Sequence, residues 1–127
     1  MAESLRYYIA HNGGLKIIEN RSGSMQTIAE HFPGVTLEHL IGCTKRPEIV
    51  FAAVAFDGGY RSEDAGKNWS KIMEGDVRTF SVDPHDERVV YMGLGPIRLF
   101  RSEDTGKTWA PLDGMLEFGD EVTKKWG

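Results

Sequence analysis

Two copies of an eight-residue phrase contain the acidic, hydroxyl and indole side chains that first suggest chemistry in this sequence. The copies are SEDAGKNW at residues 62–69 and SEDTGKTW at residues 102–109, and an aromatic residue and an arginine precede each of them. They lie 40 residues apart and agree at six of eight positions. Serine and aspartate oxygens accept hydrogen bonds from nearby backbone N–H groups, so this composition predicts a turn held by side chains rather than a catalytic centre.

Four positions of each phrase have a predicted structural role. They are Ser62, Asp64, Gly66 and Trp69 in the first copy, and Ser102, Asp104, Gly106 and Trp109 in the second. The glycines are expected to adopt a backbone conformation that is costly for other residues. Each tryptophan is expected to begin the following strand and to pack on a neighbouring sheet, so that its truncation would cost about 3–5 kcal/mol.

Other chemical interpretations of these residues lack required groups. Residues 106–108 resemble part of a phosphate-binding loop, but position 101, where such a loop needs glycine, is an arginine. Neither phrase has the alternating ligands and distal glutamate of a calcium loop. The four histidines and the single cysteine show no metal-ligand spacing; they are His11, His31, His39, His85 and Cys43. We therefore expect no metal and no cofactor.

The elements that position these phrases are predicted to be short antiparallel strands. Each full unit contains four strands within about 40 residues, which is the length and strand count of a β-propeller blade. The fold class is therefore all-β, with a single partial propeller domain over residues 1–127. Its predicted parts are a partial blade at 5–31, a blade at 35–73, a blade at 77–113 and a connector at 114–127. The nearly continuous apolar run at 49–55 predicts a strand buried on both faces.

The first predicted unit is shorter than the other two. Aligning the turn at residues 12–14 with the turn at residues 57–59 makes residues 5–10 the second strand of a blade. The innermost strand must then come from elsewhere. Three explanations are open: an N-terminal piece of a longer propeller that is closed by its far C-terminus, self-assembly into a ring, or an open three-blade unit. The first is favoured, so the expected partners are remaining blades from a longer chain or from self-association.

Bulk properties exclude several classes of protein. The net charge is −4 and no block of Lys or Arg stands out, so nucleic-acid binding is not expected. The single cysteine excludes an intramolecular disulfide. The N-terminal residues do not have the pattern of a signal peptide, and no stretch is long and apolar enough to span a membrane. A cytoplasmic location with no membrane partner is therefore expected.

The two phrases resemble Asp boxes, the signature of bacterial neuraminidase repeats, in a pattern similar to sialidase-like β-propellers. The resemblance also includes the turn entry at residues 82–84, the apolar second strand and the aromatic-Arg-Ser run, and it covers residues 35–113 well and 5–31 more loosely. It implies a propeller in which the Asp box is a structural turn. Propellers of this kind include glycoside hydrolases, receptor domains and assembly factors.

Strand parity separates two faces of such sheets. The Asp boxes share one face with the turns at residues 45–47 and 83–86. The opposite face is where similar propellers bind their ligands, and it has six candidate polar groups: His11, Glu38, Asp57, Asp76, Arg78 and Arg98. Glycoside hydrolysis needs two carboxyl groups at a set separation, for which Asp57 and Asp76 are the candidates.

No catalytic residue can be transferred from the sialidase-like family. Its Arg-Ile-Pro motif is absent, because residues 96–98 read Pro-Ile-Arg in the reverse order. The leading hypothesis is a binding or scaffolding module, non-catalytic as it stands, with a carbohydrate or protein ligand. The alternative is part of an exo-sialidase-like glycoside hydrolase whose catalytic residues lie mostly outside this chain.

Overall fold

A computed structural model of the chain describes residues 5–11 and 13–112, which form three antiparallel β-sheets and no helix. The strands are β1 (Leu5–His11), β2 (Gly14–Arg21), β3 (Ser24–His31), β4 (Leu37–Gly42), β5 (Val50–Val54), β6 (Gly58–Ser62), β7 (Ser70–Glu74), β8 (Val77–Val82), β9 (Val90–Leu94), β10 (Arg98–Ser102) and β11 (Ala110–Pro111). The all-β class predicted from the repeat is confirmed. The predicted connector at 114–127 lies outside the described residues.

The second and third sheets have the same topology. Their strand orders are β4-β5-β6-β7 and β8-β9-β10-β11, so each is a four-stranded meander. Phe51 pairs with Arg61 in the second sheet, and Tyr91 pairs with Arg101 in the third. The 40-residue offset of the sequence is therefore also a register equivalence between the two sheets.

The first sheet contains three strands in the order β1-β2-β3. Tyr8 of β1 pairs with Ile17 of β2. This pair has the same position relative to its hairpin turn as the pair of Phe51 and Arg61. β4 packs against β1, as β8 packs against β5. Among the described residues, no strand occupies the inner edge of β1, and an open groove of about 540 Å³ lies between β1 and the β4–β5 pair.

The hydrophobic core lies between the second and third sheets. Every residue of β5 is buried, which confirms the prediction of a strand covered on both faces. Phe51 of β5 stacks on Phe80 of β8 with ring centroids 5.1 Å apart, and the edge of Trp109 meets the Phe51 ring at 6.4 Å. Aromatic side chains with these separations prefer stacked or edge-to-face geometry, so the two sheets are joined by directed packing as well as by apolar area.

A second aromatic cluster joins the first sheet to the second. Phe32, which follows β3, lies 4.8 Å from the ring of Tyr60 and 5.4 Å from that of Trp69. Its backbone φ of 52° is in the left-handed region, which costs energy for a residue other than glycine. The packing of its ring between two aromatic neighbours offsets that cost.

A comparison of two glycine substitutions would test how closely the sheets approach. Gly106 and Gly23 have nearly the same φ, 85° and 86°. A Cβ at Gly106 would overlap the ring of Phe51, whereas a Cβ at Gly23 would meet nothing within 4 Å. Gly23→Ala should cost about 1 kcal/mol through the backbone alone. Gly106→Ala should cost about 2 kcal/mol more because it overpacks the interface, as measured by urea unfolding. Equal costs for the two variants would show that the ring can move aside.

Candidate functional site

The serine of each Asp box organises the turn. Ser62 Oγ accepts a hydrogen bond from the Gly66 N–H at 2.8 Å and donates one to the Asp64 carboxylate at 2.8 Å. Ser102 makes the same contacts in the second box, at 2.8 and 2.7 Å. Both serines are buried, with 1% of the side chain exposed, so the hydroxyl satisfies backbone groups that water cannot reach.

The aspartate of each box is held ionised by the next residues of the turn. Asp64 accepts hydrogen bonds from the side-chain amide of Asn68 at 2.7 Å and from its backbone N–H at 2.8 Å, which lowers the pKa of Asp64 to about 2. Asp104 accepts from the hydroxyl of Thr108 at 2.5 Å and from its N–H at 2.9 Å, and these contacts lower the pKa of Asp104 further below its usual value. A carboxylate of this kind does not donate a proton at neutral pH.

The tryptophans close the turn from the other side. Trp69 Nε1 donates to the carbonyl oxygen of Gly66 at 2.9 Å, and Trp109 Nε1 donates to that of Gly106 at 3.0 Å. The prediction that each tryptophan begins the next strand is wrong by one residue, because β7 starts at Ser70 and β11 at Ala110. The indole bond back to the glycine keeps each tryptophan within the turn.

The residue directly before each box glycine also has a left-handed backbone. Ala65 has a φ of 60° and Thr105 a φ of 59°, while Gly66 and Gly106 have the positive φ that their residue type predicts. The sequence does not mark Ala65 or Thr105, since both residue types avoid this region. Two successive left-handed residues direct the carbonyl oxygens of Ala65 and Thr105 toward the preceding sheet.

The preceding sheet binds each box through the carbonyl oxygen of the residue before the box glycine. Ala65 O accepts hydrogen bonds from Tyr8 Oη at 3.0 Å and from Arg6 Nη1 at 3.1 Å. Thr105 O accepts one from Arg61 Nε at 2.8 Å. The boxes thus connect sheets to one another.

The two faces have the arrangement that strand parity predicts. Ala65 N–H donates to Glu48 O and Thr105 N–H donates to Arg88 O, both at 2.9 Å, so the boxes share a face with the turns between β4 and β5 and between β8 and β9. We call this the box face. The loops at residues 55–57, 74–76 and 95–97 lie at the opposite ends of the strands. We call that end the hairpin face.

On the hairpin face, Asp57 is engaged by two neighbours. Lys71 Nζ lies 2.8 Å from Asp57 Oδ1, and the Tyr60 hydroxyl donates to Asp57 Oδ2 at 2.5 Å. The hydrogen bond from Lys71 lowers the pKa of Asp57 below its usual value most strongly, and the hydrogen bond from Tyr60 lowers it further. The bond to Asp57 in turn raises the pKa of Tyr60. Asp57 is therefore an ionised carboxylate within an ion pair.

Asp76 has its own cation. Arg78 donates to Asp76 Oδ2 through Nη2 at 2.8 Å and through Nε at 3.0 Å. Glu38 is exposed, and the guanidinium of Arg98 lies 5.1 Å from the centroid of the Phe100 ring. His11 ends β1, but its side chain lies outside the described part of the chain. Among the described residues, the structure thus joins two of the predicted candidates, Asp76 and Arg78, to each other, whereas Asp57 is bound by Lys71 and Tyr60.

Two apolar residues on the hairpin face were not among the predicted candidates. Phe56 has 84% of its surface exposed at the tip of the β5–β6 hairpin, with a φ of 58°. Ile97 is 55% exposed in the equivalent loop of the third sheet. Both exposed apolar residues therefore lie in corresponding loops on the same face. The only signal in the sequence is an aromatic residue directly before a strong turn.

The described residues contain no group of three His, Cys, Asp or Glu side chains that could hold a metal ion. The same residues include no helix able to cross a membrane.

The low pKa values of the box aspartates predict a pH dependence of stability. A carboxyl whose pKa is lower in the folded than in the unfolded state, where it is about 3.9, stabilises the fold above that pH and loses this contribution as the pH falls through the folded pKa. The urea midpoint should therefore fall between about pH 4 and pH 2. Asp64→Asn should make this fall smaller, whereas Ser24→Ala, at an exposed position of β3 with no titratable group, should leave it unchanged. An equally steep fall in Asp64→Asn would contradict the assignment.

Comparison with known proteins agrees with this geometry. The family model described as BNR-Asp box repeat matches residues 60–72, which include the first box. No protein of curated function is significantly similar in sequence. Solved structures that are similar to the chain include the following three, whose identities bear on the fold alone.

An ancestral GH74 enzyme has a TM-score of 0.68 and 12% identity, with 84% of this chain and 16% of that chain covered. The GH74 xyloglucanase from Xanthomonas campestris has a TM-score of 0.58 and 18% identity, with 87% and 22% covered. YCF48 in a structure described as bound to D1 peptide has a TM-score of 0.54 and 14% identity, with 87% and 44% covered. The chain spans less than half the length of each of these proteins. The predicted resemblance is confirmed: the chain contains a BNR-Asp box repeat at residues 60–72 and a second box with the same hydrogen bonds, in a β-propeller-like fold.

Proposed function

We propose that this chain is a binding section of an Asp-box propeller and that its ligand is a polypeptide held on the hairpin face. The observation that carries this proposal is the exposure of Phe56 and Ile97 in corresponding loops of that face. Exposed aromatic and branched side chains contribute most when a partner covers them, because burial removes their apolar surface from water. The ion pairs of Asp57 and Asp76 supply a polar rim around such a contact.

The state of the carboxylates favours binding over hydrolysis. A general acid for glycoside cleavage needs a raised pKa so that it still holds its proton near neutral pH. The pKa of Asp57 is lowered by Lys71 and Tyr60, and Asp76 is bound twice by Arg78. Asp57 is therefore not arranged as a proton donor. The similarity to YCF48, whose structure contains a bound peptide, supports a polypeptide ligand.

The second candidate is part of a glycoside hydrolase. The two GH74 enzymes favour it because their TM-scores with this chain are higher than that of YCF48. These neighbours are of the GH74 kind rather than the exo-sialidase-like kind expected from the Asp boxes. In this alternative the catalytic carboxyls lie outside the described residues, and the ligand is a polysaccharide.

Substitution at the loop tip tests the binding proposal. Linear peptides of 15 residues, selected from a random displayed library on the immobilised chain, should bind Phe56→Ala about tenfold more weakly, because one anchor worth roughly 1.4 kcal/mol is lost. Met25→Ala is the matched control, since Met25 is 58% exposed on the first sheet, away from the hairpin face. Isothermal titration calorimetry measures both affinities.

Two results would contradict the proposal. One is a set of selected peptides whose affinity is unchanged by Phe56→Ala. The other is turnover of fluorogenic glycosides or xyloglucan oligosaccharides by the chain. The second result would favour the hydrolase candidate.

A further inference from the structure

The first and second sheets, and the second and third sheets, are joined through an equivalent hydrogen-bond acceptor. The carbonyl that precedes the box glycine accepts hydrogen bonds from side chains of the preceding sheet. At the first contact the donors to Ala65 O are Tyr8 and Arg6, and at the second contact the donor to Thr105 O is Arg61. An aromatic ring of the preceding sheet lies over the box glycine in each case: Tyr8 over Gly66 and Phe51 over Gly106.

The third sheet repeats the donor side of this contact. Tyr91 and Arg101 are paired across β9 and β10 in the register of Phe51 and Arg61. Arg101 Nη1 pairs with Glu103, as Arg61 Nη1 pairs with Glu63. The difference is exposure, since 34% of the Arg101 side chain is accessible and only 7% of the Arg61 side chain.

The exposed pair is already arranged for a partner. The guanidinium of Arg101 lies 6.0 Å from the centroid of the Tyr91 ring, within the range of a cation–π contact. Tyr91 is half-buried and, unlike Phe51 at the equivalent position, has a hydroxyl that can donate as Tyr8 does. The pair thus combines the aromatic position of both existing contacts with the arginine of the second.

We propose that Tyr91 and Arg101 form the docking surface for a further sheet that has an Asp box of its own, in the same propeller. Arg101 Nε and the Tyr91 hydroxyl donate to the carbonyl that precedes the glycine of that third box. The Tyr91 ring covers the glycine. That position must be glycine, because a Cβ at Gly66 would lie 3.0 Å from Tyr8 Cε1 and one at Gly106 would overlap Phe51.

The occupant is a further box and not a second copy of this chain. In a second copy both boxes are already covered by rings of their own chain, Tyr8 over Gly66 and Phe51 over Gly106. The first sheet offers no box, because Arg21 pairs with Ser24 and the turn between β2 and β3 has only two residues. Residues 113–127 do not contain the Ser-x-Asp-x-Gly pattern. This inference depends on the repeated sheet contact and is independent of the proposed peptide binding.

Insertion of a third box tests the surface in the whole chain. A second copy of residues 73–112, placed between Leu112 and Asp113, keeps all 127 residues and supplies an acceptor for Arg101. In the enlarged chain Arg101→Ala should lower the unfolding temperature by about 5 °C, because one hydrogen bond from a charged group is lost. In the original chain the same change should shift it by less than about 1 °C, as expected for an exposed side chain. Arg88→Ala is the matched control, since Arg88 is exposed and ion-paired with Asp86 on the box face.

A second variant separates docking from folding. Replacing the box glycine of the inserted copy by alanine should remove the extra effect of Arg101→Ala, while amide exchange reports whether the inserted strands still form. Strong amide protection in the inserted copy together with a large shift on Arg101→Ala supports the proposal. It is overturned if Arg101→Ala shifts the two chains equally, or if the inserted copy shows no protection.

Discussion

The arrangement of the three sheets depends on the backbone carbonyl that precedes each box glycine. It points toward the preceding sheet because Ala65 and Thr105 have a left-handed backbone that their residue types avoid. The strain is stored where the turn meets a neighbour, and the hydrogen bonds from Tyr8, Arg6 and Arg61 compensate for it. A turn of this kind is therefore stabilised by another sheet as much as by its own serine and aspartate.

This dependence explains why the protein is organised as a series of sheets that pack on one another. A single three- or four-stranded sheet buries little apolar surface by itself, and repeat proteins obtain most of their stability from contacts between neighbours. Phe51 is fully buried only because Phe80 and Gly106 belong to the next sheet. The box glycines Gly66 and Gly106 matter for the same reason, since a side chain there would overlap residues of the preceding sheet.

Repetition and composition predicted the strands, the β-hairpins and the contacts within each box. They did so because Ser62, Asp64 and Gly66 act over a few residues, where residue type largely determines geometry. The strain at Ala65 and Thr105 was not predicted, because the hydrogen bonds that compensate for it come from a sheet distant in sequence. The hairpin face shows the same limit. Asp57 was a reasonable catalytic candidate in the sequence, and only the structure shows that Lys71, from another strand, is bound to it.

The residues that form the two halves of a contact between sheets are far apart in the sequence. Arg61 and Phe51, which receive the second box, precede the box residues by more than forty positions. A ribosome therefore completes the receiving surface before it delivers the turn that fills it. The order of synthesis therefore allows each sheet to act as a template on which the next one packs as it emerges.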